Sequence, residues 1–257
     1  MQIDNDLLEN AIKNNEKEPI FRLYGWSPMC VSLGRNQKDS FIDEEYLRNN
    51  NIDVVRRLTG GRALLHADEI TYSVVCPSDY LQKGENVVSS YKEISQILID
   101  AFKNLGIELD FGGTRKASGN FCMLVSTGAD LCYNGKKLIG SAQFRRENYI
   151  LQHGSILYDY DCELLEKVFK EKVDTSSITS IKEINPSLTK SEIIETLRNV
   201  TCQNPWYNAV SSVLQKIICL KKQLIKVEIL YIYTGNKFKG INKMSDYGFG
   251  ANLAQYI

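Results

Sequence analysis

The stretch RRLTGGRALLHADEITYSV, Arg56 to Val74, closes one strand pattern with two arginines, turns through Thr59-Gly60-Gly61 and opens a second strand after His66. Paired glycines allow positive φ and let a ligand approach the backbone closely. N–H groups exposed in such a turn, flanked by Arg56, Arg57 and Arg62, suit an anionic or carbonyl-bearing ligand. A tight connection with solvated arginines is the plainer alternative. A second stretch, Asn134 to Ile156, opens on Asn134-Gly135, the strongest two-residue hairpin signal, so Lys136 and Lys137 begin a strand. The small residues Gly140, Ser141 and Ala142 mark a bulge or a surface on which a ligand lies, and His153-Gly154 repeats that feature in the next strand. A hairpin with edge lysines is the alternative there.

The third candidate is Cys122, in a loop rich in Gly, Ser and Thr between Arg115-Lys116 and the lysine hairpin. A free thiol with a pKa near 8.5 is only about 3% thiolate at pH 7, and a neighbouring ammonium raises that fraction. Lys137, folded back over Cys122, would supply it. Cys132, in a strand-like run just before the turn, is the rival. Cys30, Cys76, Cys162 and Cys219 lie in apolar patterns and read as small buried hydrophobes, whereas Cys202 has no readable chemistry around it. Neither histidine has a readable link to a cysteine, which argues against a Cys–His pair.

These side chains need a scaffold. Helical periodicity runs through Leu7, Leu8, Ala11 and Ile12, and through Val87, Tyr91, Ile94, Leu98, Ala101 and Leu105 up to Gly106. Shorter helices are expected at Asp161–Phe169 and Lys190–Asn199, the latter with Thr189 and Glu192 as a capping box. Strand-like runs are Phe21–Tyr24, Asp53–Leu58, Ile70–Cys76, Lys137–Phe144, Ile150–Leu157 and Val227–Tyr233. The interleaving predicts one α/β or α+β domain over residues 1–185 and, after the Asn185-Pro186-Ser187 turn signal, a small C-terminal segment over 186–257.

Composition excludes several classes. With 257 residues, 43% hydrophobic and 24% charged, the chain is an ordinary globular one rather than disordered, collagen-like or coiled-coil. Thirty-one basic against 31 acidic residues give no global attraction to nucleic acid or anionic membrane. Seven lysines against one acid between Val213 and Lys243 read as a solvated basic face. The N-terminus has no signal-peptide pattern, and lysines interrupt Val213–Tyr233, so no membrane span is expected. Seven cysteines with no framework spacing suit the reducing cytoplasm, and with two histidines in the chain no metal site is expected.

Together the stretches resemble the biotin/lipoate protein ligase superfamily, in particular its LipM-type octanoyltransferase branch. The resemblance rests on Tyr24-Gly25-Trp26-Ser27-Pro28, then Ser32-Leu33-Gly34 and Gln37, on RRLTGGRALLH, and on Gly135-Lys136-Lys137, Gly140-Ser141-Ala142-Gln143 and Gln152-His153-Gly154-Ser155. It covers residues 2 to about 185. It implies a mixed sheet flanked by helices, an acyl pocket between the TGG loop and the lysine strand, and a cysteine acyl intermediate. The family's cysteine lies fifteen positions before its lysine, as Cys122 does before Lys137, whereas Cys132 lies only five before it.

The activity so implied is ping-pong transfer of octanoyl from octanoyl-acyl-carrier protein to a lysine of a lipoyl domain, such as the glycine-cleavage H protein, with no cofactor, ATP or metal. Arg56, Arg57, Thr59, Gly60, Gly61, Arg62, His66, Gly140, Ser141, Ala142, His153 and Gly154 would form the acyl and substrate site. This chain departs from the pattern at Ala67, where the branch usually has Asp, and around Cys122, and it shows no family pattern from about Val200 to Ile257. The alternatives are an ATP-dependent lipoate–protein ligase using the same loop and lysine, an amidotransferase taking octanoyl from a lipoylated domain, and a non-catalytic acyl-binding relic.

Overall fold

The computed structural model describes residues 1–113, 130–203, 231–234 and 237–240. Two nine-residue strands form its centre: β5, Glu69–Pro77, and β9, Tyr149–Leu157, rich in the β-branched and aromatic residues that suit a pleated surface. They pair antiparallel from Glu69↔Leu157 to Pro77↔Tyr149. Seen from this pair, β1 (Ile20–Tyr24) adds beside β5 and β8 (Lys136–Arg146) beside β9. The sheet is completed by β6 (Asp110–Phe111), β7 (Leu131–Tyr133), β10 (Tyr231–Thr234) and β11 (Lys237–Gly240), in the order β11-β10-β1-β5-β9-β8-β7-β6. Asn134 and Gly135 take φ of 47° and 75°, as a two-residue hairpin turn between β7 and β8 requires.

A second sheet has three strands. Its centre, β2 (Cys30–Leu33), runs parallel to β3 (Asp53–Arg56) and antiparallel to β4 (Leu64–His66). The predicted strand Asp53–Leu58 therefore ends at Arg56, because Arg57 already begins the turn. Two helices cover this sheet: α2, Glu44–Asn49, and α4, Cys162–Phe169, which meet through Leu47, Leu165, Val168 and Phe169. Cys162, expected to be buried, is exposed. It is the first residue of α4 after the N-cap Asp161, where a side chain leans back past the helix end rather than into the core.

On one face of the large sheet lies α3, Val87–Asn104, capped by Asn86, with Ile94, Leu98 and Ala101 in the stripe that its periodicity predicts. The helix α6, Lys190–Gln203, packs beside it, and its expected capping box is present, with Thr189 N–H donating to Glu192 (2.8 Å) and Glu192 N–H to Thr189 Oγ1 (3.3 Å). Between them α5 (Ile181–Ile184) adds Ile181 to the same core. Ile193, Leu197 and Val200 share that core with Phe102 and Tyr72, so residues on both sides of position 185 contribute to it. Burial of such side chains stabilises the fold by about 1.5–3 kcal/mol each. The opposite face carries α1, Gln2–Lys13, through Leu7, Leu8 and Ala11, and Asp4 occupies the same stripe. Of the run Val227–Tyr233, residues 231–233 are strand, and 227–230 lie outside the described residues.

Candidate active site

A cavity lies at the seam between the two sheets. Its wall on the small-sheet side is Ser32, Arg57, Gly61, Leu64 and His66; on the large-sheet side it is Thr71, the run Gly140–Ala142 and the run His153–Ser155, with Met1 at the edge. The TGG turn is held there by Arg57, whose buried guanidinium donates to Ser32 O (2.9 Å), Ser32 Oγ (3.0 Å), Gly60 O (3.0 Å) and Arg62 O (2.6 Å). This arginine thus fastens the turn to β2. Gly61 has φ of 95°, and at Gly34 a Cβ would collide with the Gly61 carbonyl, which explains a glycine in the Ser32-Leu33-Gly34 run.

Two hydroxyl–imidazole–carboxylate chains converge on the cavity. In the first, His66 Nδ1 lies 2.6 Å from Glu69 Oε1 and its Nε2 lies 2.7 Å from Ser32 Oγ. Trp26 stacks on this ring at 4.1 Å and donates its indole N–H to Thr71 Oγ1 (2.8 Å), and Thr71 in turn donates to Glu69 Oε1. In the second, His153 Nδ1 lies 3.3 Å from Asp4 Oδ2 and its Nε2 lies 2.8 Å from Thr59 Oγ1. A carboxylate only accepts, so Nδ1 carries the proton in each neutral ring and Nε2 accepts from the hydroxyl.

The carboxylates of the two chains differ in compensation. Asp4 is fully buried, and burial alone would push its carboxyl up; the hydrogen bond from His153 and the charge of Arg22, 2.7 Å away, override this and hold it well below the usual carboxylate range. Ser73 (2.9 Å) and Tyr24 (2.8 Å) donate to it as well. His153 is pushed down by burial, against the pull of Asp4, and is therefore neutral at physiological pH. Glu69, by contrast, meets no ammonium or guanidinium among the described residues, and its Oε2 is buried without a hydrogen-bond partner.

Lys137 is buried, and its ammonium lies 3.1 Å from the equally buried Asp130 carboxylate. Asp130 also accepts the Gly112 N–H at 2.8 Å through its backbone carbonyl, so the two stems of the connection between β6 and β7 meet beside the lysine. Cys122 belongs to that connection and lies outside the described residues. Its rival Cys132 is buried and is the antiparallel register partner of Lys137. Burial pushes the thiols of Cys30 and Cys76 up to about 12 and raises that of Cys202, which disfavours all three as thiolate nucleophiles.

The structure thus brings Arg57, Gly61, His66, Gly140, Ser141, Ala142, His153 and Gly154 to one cavity, with Thr59 joined to it through His153. Gly60 and Arg62 are not on its wall, though their carbonyls accept from Arg57. Arg56 turns away, donating to the carbonyls of Gly34 (2.9 Å) and Gln37 (2.6 Å). Asp4 was passed over by sequence reasoning altogether, whereas Ser32, Glu69 and Thr71 lie within the motif stretches but were not named as site residues. Asp4 had a signal: it is an acid at a position where Leu7, Leu8 and Ala11 define the apolar stripe of a helix.

Residues 1–201 match the model of the lipoyl protein ligase A/B catalytic domain. Octanoyltransferase LipM of an Exiguobacterium species is 30% identical over 246 residues, covering 90% of this chain and 88% of that protein, a share reached only by including residues beyond Val200. The LipM octanoyltransferases of Carboxydothermus hydrogenoformans and Clostridioides difficile are 41% and 39% identical, each over 67% of this chain and 65% of their own length. Among solved structures, lipoate-protein ligase A bound with ATP superposes with a TM-score of 0.62 at 22% identity, covering 76% of this chain and 77% of that one. A bipartite lipoate protein ligase of Thermoplasma acidophilum gives 0.57 at 20%, covering 76% and 75%. Those two likenesses establish the fold, and the match over residues 1–201 establishes the lineage: this chain belongs to the lipoyl protein ligase A/B catalytic domain family.

Proposed function

We propose that this chain is an acyltransferase that moves octanoyl onto a lysine of a lipoyl domain in protein lipoylation. The observation that carries the reading is the likeness to LipM octanoyltransferases, one of which aligns over 90% of the chain. The solved ligase structures reported above are only 20–22% identical, likenesses that speak to fold. The donor is octanoyl-acyl-carrier protein and the acceptor a lipoyl-domain protein such as the H protein of glycine cleavage.

Cys122 is the nucleophile in this reading. Its sulfur attacks the thioester carbonyl, the phosphopantetheine thiol leaves, and the octanoyl chain lies in the cavity against Gly140–Ala142 and Gly154. The acceptor lysine then displaces the cysteine to give the amide. Thioester exchange is close to neutral and amide formation from a thioester is downhill, so the sequence of steps calls for neither ATP nor metal. Lys137 contributes positive charge near the developing thiolate, shared with Asp130. Arg145 and Arg146, basic residues suited to steering an acidic carrier, are partly engaged within the chain: Arg145 donates to Gly84 O (2.7 Å), and Arg146 pairs with Glu9.

The test is intact mass after incubation with octanoyl-acyl-carrier protein without ATP, for wild type, Cys122→Ala and Cys132→Ala. A hydroxylamine-labile gain of one octanoyl group, lost only in Cys122→Ala, is the expected result. A gain lost only in Cys132→Ala moves the nucleophile, and acceptor modification that appears only with ATP and free acid makes the chain a ligase.

A further inference from the structure

The lysine that accepts the acyl group presents a protonation problem that the cysteine does not solve. With a pKa near 10.4, about 0.04% of such a side chain is free amine at pH 7. Lys137 is poorly placed to take the proton, because an ammonium paired with Asp130 has no lone pair to offer. We propose, building on the octanoyl-enzyme reading above, that Ser32, His66 and Glu69 form the proton relay that deprotonates the acceptor lysine.

Three observations carry this. The chain is continuous and its polarity is fixed. Glu69 receives the Nδ1 proton at 2.6 Å, Nε2 accepts Ser32 O–H at 2.7 Å, and Ser32 Oγ is held by Arg57 at 3.0 Å on the cavity wall. Next, Glu69 meets no ammonium or guanidinium among the described residues and has a partnerless buried oxygen, so a positive charge arriving on His66 is welcome. The Thr59–His153–Asp4 chain differs here, because Asp4 is already neutralised by Arg22. Finally, the register places Glu69 opposite Leu157 and Ile139 opposite Ile156, so Glu69 and Lys137 occupy the same end of the sheet with β9 between them. His153 pairs with Ser73, four residues further along, about 13 Å away at the rise of a strand.

In the step, an ammonium N–H of the acceptor passes its proton to Ser32 Oγ while the Ser32 proton passes to His66 Nε2. Ser32 is unchanged, and the charge resides on the imidazolium facing Glu69. The freed amine lone pair forms the C–N bond and the C–S bond breaks. Its electron pair goes to sulfur, which takes the second proton released by the attacking nitrogen. The imidazolium then returns its proton to water. Other charged or titratable groups around the relay are Arg57 beyond Ser32, Cys30 as register partner of His66, and the amino terminus of Met1 on the cavity wall.

The experiment preloads wild type, His66→Gln, Ser32→Ala and Glu69→Gln with octanoyl from its carrier protein. Single-turnover transfer is then followed to a lipoyl domain and, separately, to hydroxylamine, which is uncharged at pH 7 and needs no base. In His66→Gln, transfer to lysine is expected to fall by about 10²–10⁴-fold more than the same variant's reaction with hydroxylamine, whatever the variant does to loading. Its transfer rate should climb tenfold per pH unit toward pH 9, as the lysine ionises unaided. Equal slowing with lysine and hydroxylamine would make the role structural and overturn the relay, as would wild-type transfer by His66→Gln. Failure of Ser32→Ala alone to load would make Ser32 an acyl carrier instead. If wild type itself never loads, the octanoyl-enzyme reading fails and the relay with it.

Discussion

At the scale of single residues, the buried charges set the predictions. His153 is neutral in the folded chain and pushed below its ordinary value by burial, whereas in the unfolded chain it titrates near pH 6.5. The unfolded state therefore binds the extra proton first. His153 contributes stability that is complete above about pH 6.5 and is lost as pH falls, by at most about 1.4 kcal/mol per pH unit. Chemical denaturation between pH 7.5 and 5 should show this slope in wild type and a flatter one in His153→Gln. Asp4, also depressed, adds a loss that begins only as pH falls below about 4. Lys137 and Asp130 lend themselves to a separate test of structure against chemistry. Lys137→Met removes the ammonium that lies 3.1 Å from the buried Asp130 carboxylate and should cost about 3–5 kcal/mol, and adding Asp130→Asn should restore much of that stability without restoring transfer.

At the scale of elements, the close approach of β8, β9 and Tyr72 depends on Gly154. A Cβ there would meet Tyr72 Cε1 at 2.6 Å and Gly140 O at 2.7 Å, so Gly154→Ala should lower the thermal midpoint by an amount corresponding to about 1–3 kcal/mol and narrow the cavity. The long elements were legible in the sequence. The stripe of α3, the strand-like runs of β5 and β9, the Asn134-Gly135 turn and the Thr189–Glu192 cap are local signals, written by residues a few positions apart. The short elements β2, β4 and α2 were not, since three to six residues cannot carry a period. The candidate site divides the same way. Its glycines and histidines stood out by type, but the pairing of Thr59 with His153, 94 positions apart, and of Ser32 with His66, 34 apart, arises only from tertiary packing.

For the whole molecule, the cavity belongs to neither sheet alone: its two walls come from separately hydrogen-bonded layers. The eight-stranded sheet reaches its edge through β10 and β11, and β10 covers the flank of β1 from Leu23↔Tyr231 to Phe21↔Tyr233. A chain ending at Gln203 loses that cover and exposes the backbone groups of β1. Such a truncation should self-associate at concentrations where the full chain does not, which light scattering will register. The meeting of Gly112 N–H and Asp130 carbonyl has a wider implication. It fixes the two ends of the seventeen residues between them at one point of the sheet, and closing a connection of somewhat different length between fixed ends alters the entropy only slightly. A graft of the equivalent stretch from a relative is thus expected to exchange Cys122, the proposed nucleophile, together with its sequence neighbours, while Lys137, Ser32, His66 and Glu69 remain this chain's own.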